Sequence, residues 1–251
     1  MLYPVLLFDL FGTLVHFTSR VPSVQIAGET RRSTMHWLED TVSRELPCVS
    51  FSDFLLAIGT VTGEIVTGRP PDYLEVSSQE RFARALARLN APESGRAGLA
   101  ERLSLAHMAH LAGQTVMPPE HGELLRDLGR DRVLGLVSNF DHGPTAHAIL
   151  RREGIEDLFR VVLISEEFGR RKPHPAIFTK ALKELGAAAS EALYVGDTFE
   201  DDVAGARAAG IEAAWIDAKG AGISAGSNAP AHVLCRLTDL APLLGDGRPP
   251  A

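Results

Sequence analysis

Cysteine is scarce: the 251 residues contain only Cys48 and Cys235. Their spacing fits no metal motif, and two thiols build no disulfide framework. Each sits among apolar neighbours, so both are expected to be reduced core residues of a cytoplasmic protein. Long apolar runs are missing too. None approaches the ~20 residues of a membrane-spanning helix, so no membrane partner is expected. The apolar start Leu2 to Phe8 lacks a basic head and runs straight into Asp9, which does not fit a signal peptide. Positive charge is in deficit, with a formal net charge of −7. Such a chain gains nothing from counterion release on DNA or RNA, and no nucleic-acid partner is expected. A small anionic ligand remains open, because local charge decides that. Lysine is rare, and none precedes Lys172.

What is present is a globular composition, 45% hydrophobic and 23% charged, which argues against disorder. Val5 to Phe8 is a short apolar run of the kind buried on both faces of a parallel sheet. Similar runs recur at Val133 to Val137, Val161 to Ile164, Ala192 to Val195 and Glu212 to Ile216. Helical patterns separate them at Pro144 to Glu153, Pro175 to Leu185 and Asp201 to Ala209. Gly154, Gly186 and Gly210 stand just past these helices, where glycine commonly ends them. Strands alternating with helices predict a doubly wound α/β parallel sheet. The stretch Phe17 to Met117 lacks such strands. Ser33 to Leu46, Ser52 to Val66, Ser78 to Leu89 and Ala97 to Leu111 read as amphipathic helices inserted after the first strand. The expected division is residues 1–16 with 117–251 for the α/β core, and 17–116 for the helical insertion. Gly220 to Ala231 reads as a surface loop, and Gly245 to Ala251 as a frayed end.

Open α/β sheets bind ligands beyond the carboxyl ends of their strands. There the pattern delivers Asp9, Ser138 and Asn139, and Gly196-Asp197 followed by Asp201 and Asp202. Lys172-Pro173 lies in a loop before a helix. In this order, Asp9-Leu10-Phe11-Gly12-Thr13-Leu14, Ser138-Asn139, Lys172-Pro173 and Gly196 to Asp202 resemble the four motifs of the haloacid dehalogenase superfamily. The resemblance spans Leu2 to His16 and Met117 to Ile216. The insertion matches that family's α-helical cap in position and length.

The resemblance implies a Rossmann-like core and a covalent mechanism with Asp9 as nucleophile. Ser138 or Asn139 would donate to a phosphoryl oxygen, and Lys172 would neutralise Asp9 and the developing charge. Asp9, the Phe11 carbonyl and Asp197 would hold Mg²⁺, a hard cation preferring oxygen, with Asp201 or Asp202 adding a further ligand. Charge counting agrees: the acidic cluster exceeds Lys172 and would repel an anionic substrate without a divalent cation.

One position departs from the pattern. Phosphatases of the superfamily carry a second aspartate two residues after the nucleophile, which protonates the leaving group. Here it is Phe11, and general acid–base catalysis is typically worth ~10²–10⁴-fold. Three readings follow: a Mg-dependent phosphatase of a small phosphorylated metabolite with another acid or a good leaving group, a 2-haloacid dehalogenase, or a weakly active or binding-only relative. The dehalogenase branch also carries an aromatic residue here, but it needs no metal and does not resemble the Gly196–Asp202 pattern. The phosphatase is therefore favoured. Phosphonate-cleaving relatives use a cap lysine, and no lysine precedes Lys172.

Other residues have blander readings. His16 is the nearest titratable group able to replace the missing acid. Asp141 reads as a turn residue, and His107 and His110 as structural or solvent-facing. Arg31 and Arg32 could grip an anion, although surface arginines seldom do.

Overall fold

A computed structural model of the chain describes residues 2–18, 23–26, 29–220, 222 and 229–245, with backbone alone for 23–26 and 29–32. The side chains of Arg31 and Arg32 lie outside the described residues, as do most of the expected loop from Gly220 and the end beyond Gly245. The chain divides into two compact units, Met1–Phe17 with Val116–Ala251, and Thr18–Thr115.

The larger unit is built on a six-stranded sheet. Its strands are β1 (Val5–Phe8), β2 (Val133–Ser138), β3 (Phe159–Ile164), β4 (Ala192–Gly196), β5 (Glu212–Ile216) and β6 (His232–Leu234). The spatial order is β6-β5-β4-β1-β2-β3, and every pairing is parallel. Successive strand side chains point to opposite faces. Val5 and Leu7 bury against Ile177, Phe178 and Leu182 of the helix Pro175–Leu185, and against Val203 and Ala206. Leu6, Phe8, Leu134 and Leu136 point the other way and are equally buried. Both faces are covered, which is why these strands read as unbroken apolar runs rather than alternating ones.

The smaller unit contains α1 (Glu39–Glu45), α2 (Phe51–Thr67), α3 (Ser78–Arg88) and α4 (Glu93–Gly113). Ser50 and Ser77 cap α2 and α3, accepting from the backbone N–H of Asp53 and Glu80. Phe54, Ile58 and Val61 recur at helical spacing and meet Phe82, Leu86 and Leu103 in one core.

Several expectations are corrected. Cys48 and Cys235 are exposed, not core residues. Cys48 lies in the turn between α1 and α2, and Cys235 follows β6, so apolar neighbours in sequence do not enclose them. The helix expected from Ser33 is a 3-10 turn, Thr34–Leu38, before α1. The insertion also holds a hairpin of Ser23–Ile26 with Glu29–Arg32, and the core a helix Pro119–Leu128. The expected helix Asp201–Ala209 starts earlier, as a π-helical turn over Phe199–Ala204 that passes into Gly205–Ala208.

His107 and His110 part ways. His110 is exposed and stacks with Trp37, ring centroids 5.8 Å apart. His107 is buried at 3% exposure, with Nε2 2.7 Å from Thr34 Oγ1. Burial, with Arg81 and His110 nearby, lowers its pKa from 6.5 to about 3. The unfolded chain therefore takes up a proton near pH 6.5 that the folded chain refuses. The stability this residue contributes is present above that pH and falls by about 1.4 kcal/mol per unit below it, until about pH 3. His107→Gln should flatten this dependence. Urea unfolding followed by Trp37 fluorescence in a Trp215→Phe background should show the unsubstituted His107 losing about 2 kcal/mol more than Gln between pH 7 and 5. Equal losses would refute the assignment.

Candidate active site

The strand order reverses direction between β1 and β4, and a crevice opens at such a switch point outside the carboxyl ends. Pairing register places Phe8 beside Leu136 and Val195. Asp9 therefore leaves the sheet level with the ends of β2 and β4, its N–H donating to the Val195 carbonyl at 3.0 Å. Ser138 ends β2, and Asp197 follows β4.

Lys172 stands at the centre, 1% exposed. Its Nζ lies 2.6 Å from Asp202 Oδ1, 2.7 Å from Tyr194 Oη and 2.8 Å from Asp9 Oδ1. Burial opposes the ammonium charge, but Asp202 and Asp9 outweigh it and raise the pKa above its ordinary value. Asp9 is 7% exposed. Burial pushes its carboxyl up, to about 7, against the pull of Lys172 and with the help of Asp202 and Asp197. Tyr194 donates its one proton to the Val137 carbonyl at 2.8 Å, and burial beside Asp202 keeps the phenol far from ionisation.

Carboxylate oxygens of Asp9, Asp197 and Asp202 lie within 4.8 Å of one another. Burial and then Asp202 raise the Asp197 pKa to about 6. Asp197 Oδ1 is buried without a hydrogen-bond partner. Asp202, by contrast, accepts on both oxygens, with Thr198 N–H on Oδ2 at 2.9 Å. A hard divalent cation fits this donor set: the oxygens converge, carry excess negative charge, and two of them, Asp9 Oδ1 and Asp197 Oδ1, have no hydrogen-bond donor. Two glycines make room for it. A Cβ on Gly12 would collide with the Asp197 carboxylate, and Gly12 has φ +85°, where L side chains are strained; a Cβ on Gly196 would collide with Asp202. The Trp215 indole N–H donates to the Asp197 carbonyl at 2.9 Å and holds that backbone.

Ser138 and Asn139 separate in role. Asn139 is fully engaged: Oδ1 accepts from the Lys172 N–H at 2.7 Å, and Nδ2 donates to the Lys172 carbonyl at 3.0 Å and to Asp201 Oδ2 at 3.1 Å. It clamps the lysine loop. Ser138 is fully buried, with a hydroxyl that has no partner. Of the two, it has the free donor. Asp201 is taken up by Asn139 and stands apart from the three converging carboxylates. The Phe11 ring stacks on Phe17 at 5.4 Å and packs tilted against Phe140 at 4.6 Å, so an aromatic wall stands at the position where phosphatases of the superfamily carry the second aspartate. His16 lines a cavity of about 330 Å³ with Gly12, Asp197, Trp215 and Lys219, and burial and then His121 lower its pKa. Tyr194 and Trp215 were not singled out in the sequence. The signal available was a polar-tipped aromatic inside a buried aliphatic strand, which must find a hydrogen-bond partner.

This geometry separates the two neighbours by stability. Asn139→Ala strands both Lys172 backbone groups and should cost about 2–4 kcal/mol. Ser138→Ala removes an unsatisfied buried hydroxyl and should change stability by less than about 0.5 kcal/mol. Denaturant unfolding of both variants checks this; a Ser138→Ala loss as large as that of Asn139→Ala would contradict it.

The haloacid dehalogenase-like hydrolase family matches residues 3–210. A phosphoglycolate phosphatase of Rhodospirillum rubrum is 31% identical over 213 residues, 82% of this chain and 76% of its own. A glyceraldehyde 3-phosphate phosphatase of Pyrococcus abyssi is 43% identical over 92 residues, so the chain spans only 37% of that relative's length. The crystal structure of a 2-haloacid dehalogenase from Pseudomonas syringae pv. Tomato DC3000 superposes with a TM-score of 0.74 at 25% identity, covering 96% of this chain and 98% of that one. With the four motif segments gathered at the sheet's switch point and a match across most of its length, the chain belongs to the haloacid dehalogenase-like hydrolases.

Proposed function

We propose that the chain is a Mg²⁺-dependent phosphatase of small phosphorylated metabolites whose leaving group needs no proton from the protein. The observation that carries the reading is the buried set of Asp9, Asp197 and Asp202 around Lys172, with the free oxygen of Asp197. Such a set repels an anion unless a cation completes it. The phosphatases among its relatives support the same direction.

In this reading Asp9 attacks phosphorus, the bond from phosphorus to the leaving oxygen breaks, and that oxygen departs with the electron pair. Water then cleaves the phosphoaspartate. Lys172 holds Asp9 in place and balances its charge. The Ser138 hydroxyl, free of protein partners, donates to a phosphoryl oxygen. Asp9, the Phe11 carbonyl and Asp197 would hold Mg²⁺, with Asp202 behind them. The ion would supply positive charge against the phosphoryl oxygens. Phe11 offers no proton, so a leaving group of low pKa, such as an aryl or acyl oxygen, is favoured over an alkoxide.

A second reading has its own observation. The stacked Phe11, Phe17 and Phe140 form an apolar wall suited to a carbon–halogen bond, and halide leaves without a proton. Against it, the same acids would repel a haloacid carboxylate.

A panel of phosphomonoesters and 2-haloacids, each with Mg²⁺ and with EDTA, separates the readings. Metal-dependent phosphate release is expected; metal-independent halide release would favour the second reading, and neither would indicate a binding-only relative. Asp9→Asn should drop turnover below about one per cent, an effect of at least ~10². Calorimetry with Mg²⁺ should show Asp197→Asn binding at least about tenfold more weakly, since it removes a charged ligand; equal affinity would count against the metal site. Phe11→Asp should raise the rate on an alkyl phosphate more than on an aryl phosphate, because only the alkoxide badly needs a proton. A folded, Mg²⁺-binding variant without that selective gain would show that Phe11 is not simply a missing acid.

A further inference from the structure

The geometry points to Tyr194 as a positioning residue that confines the Lys172 ammonium to its place beside Asp9. The inference rests on Asp9 as nucleophile and holds for either leaving group. A lysine ammonium has three N–H donors and no more. Here Nζ donates to Asp202 Oδ1 at 2.6 Å and to Tyr194 Oη at 2.7 Å, and these two bonds seat the ammonium 2.8 Å from Asp9 Oδ1 as an ion pair. Lys172 thus acts on Asp9 through its charge, and the partnerless Ser138 hydroxyl is a donor open to the anion.

Tyr194 is the neutral member of this set, and it is fixed on every side. Its oxygen accepts from Lys172 and donates to the Val137 carbonyl at 2.8 Å, one residue before Ser138. The Asp202 oxygen lies farther away, at 3.2 Å, so the phenol proton goes to Val137. The ring is fully buried, and Phe178 meets it edge-on with centroids 5.1 Å apart. The oxygen cannot follow the ammonium if the ammonium moves. Without it, the ammonium loses one of its two hydrogen-bonded anchors and can shift away from Asp9. The nucleophile then loses its fixed orientation, while the binding groups stay in place.

Tyr194→Phe removes only that oxygen. The rate is measured on whichever substrate, phosphomonoester or 2-haloacid, the chain with Tyr194 turns over. Both are attacked by Asp9, so failure of the phosphatase reading leaves this test standing. The expected result is a kcat lowered about tenfold with KM within about twofold, because Asp9 is misplaced in the attack but the anion is still bound. Inorganic phosphate affinity by calorimetry should stay constant or tighten, as a donor is freed. An unchanged kcat in a folded variant overturns the inference. So does a kcat loss accompanied by a matching rise in KM and weaker phosphate binding, which is what a merely structural tyrosine would give. Tyr194→Leu, which also removes the ring, covers the case in which Phe fails to fold. Tyr194→Leu should show the same split between kcat and KM, and its absence there overturns the inference equally. A chain that turns over neither substrate class overturns this inference together with the nucleophile on which it rests.

Discussion

Everything at the switch point depends on one buried ammonium. An isolated charge at 1% exposure would be prohibitively costly, and the protein would neutralise or expel it. Lys172 stays charged because two carboxylates and a phenol surround it within 2.8 Å. The converse also holds. Asp9 and Asp202 are themselves buried, and each would be an uncompensated charge without the lysine. Breaking such a set by removing one member costs more than the set adds to stability, so its members are locked to one another. The backbone clamp from Asn139 onto the Lys172 loop follows from the same need, because a mobile lysine could not hold this geometry.

That constraint divides the acids by task. Asp202 gives both its oxygens to the protein and serves mainly to hold the lysine and the turn at Thr198. Asp201 secures Asn139. Asp197 Oδ1 and Asp9 Oδ1 both lack a hydrogen-bond donor, but Asp9 has the Lys172 ammonium against it, so Asp197 carries the greatest unmet demand for a cation. Asp9 lies between these extremes, bound to Lys172 on one oxygen and raised in pKa by its surroundings. A cluster that looks uniform in sequence is therefore ordered by hydrogen bonding. The π-helical turn Phe199–Ala204 contributes, since its wider path brings the Asp202 side chain back under Gly196, where only a glycine leaves space.

The core strands were legible because burial on both faces leaves an unambiguous apolar run, and β1, β2, β4 and β5 each show one. The carboxyl-end residues were legible because motif order and strand ends coincided. What was hidden depends on tertiary position. The helix Pro119–Leu128 starts on the second residue of a double proline that reads only as a break. β6 is short and holds an edge position through pairing with β5 that its own three residues do not announce. Cys48 and Cys235 show the opposite error, in which apolar sequence neighbours imply a burial that turn geometry denies. Tyr194 and Trp215 serve the site through atoms at the tips of side chains rooted in the sheet. Sequence shows that such tips need partners, but only the register of β4 and β5 beside β1 shows which ones. The split between Ser138 and Asn139 was likewise invisible, because both residue types can donate and only the contacts reveal which donor is already spent.

Phe11 then sets the chemical range of the site. In the proposed phosphatase, the ammonium, the acids and any cation they hold would act on Asp9 and the phosphoryl oxygens, while the leaving oxygen would lie on the far side of phosphorus. In-line displacement keeps attacking and leaving groups apart, so charge stabilisation at one end transfers poorly to the other. General acid catalysis is worth about 3–5 kcal/mol, the equivalent of ~10²–10⁴ in rate. None of the groups around Lys172 is placed to recover that amount for an alkoxide, since Lys172 is anchored to Asp202 and Tyr194 beside Asp9, and Tyr194 gives its proton to Val137. His16 is displaced toward the cavity beside Asp197 and is held neutral by burial and by His121. A weak base must therefore be supplied by the substrate itself. The stack of Phe11 with Phe17 and Phe140 is consistent with that requirement, because an apolar wall disfavours the localised charge of an alkoxide far more than a delocalised or soft leaving group. On the proposed reading, Phe11 thus narrows the substrate by its leaving group while leaving the groups for attack in place.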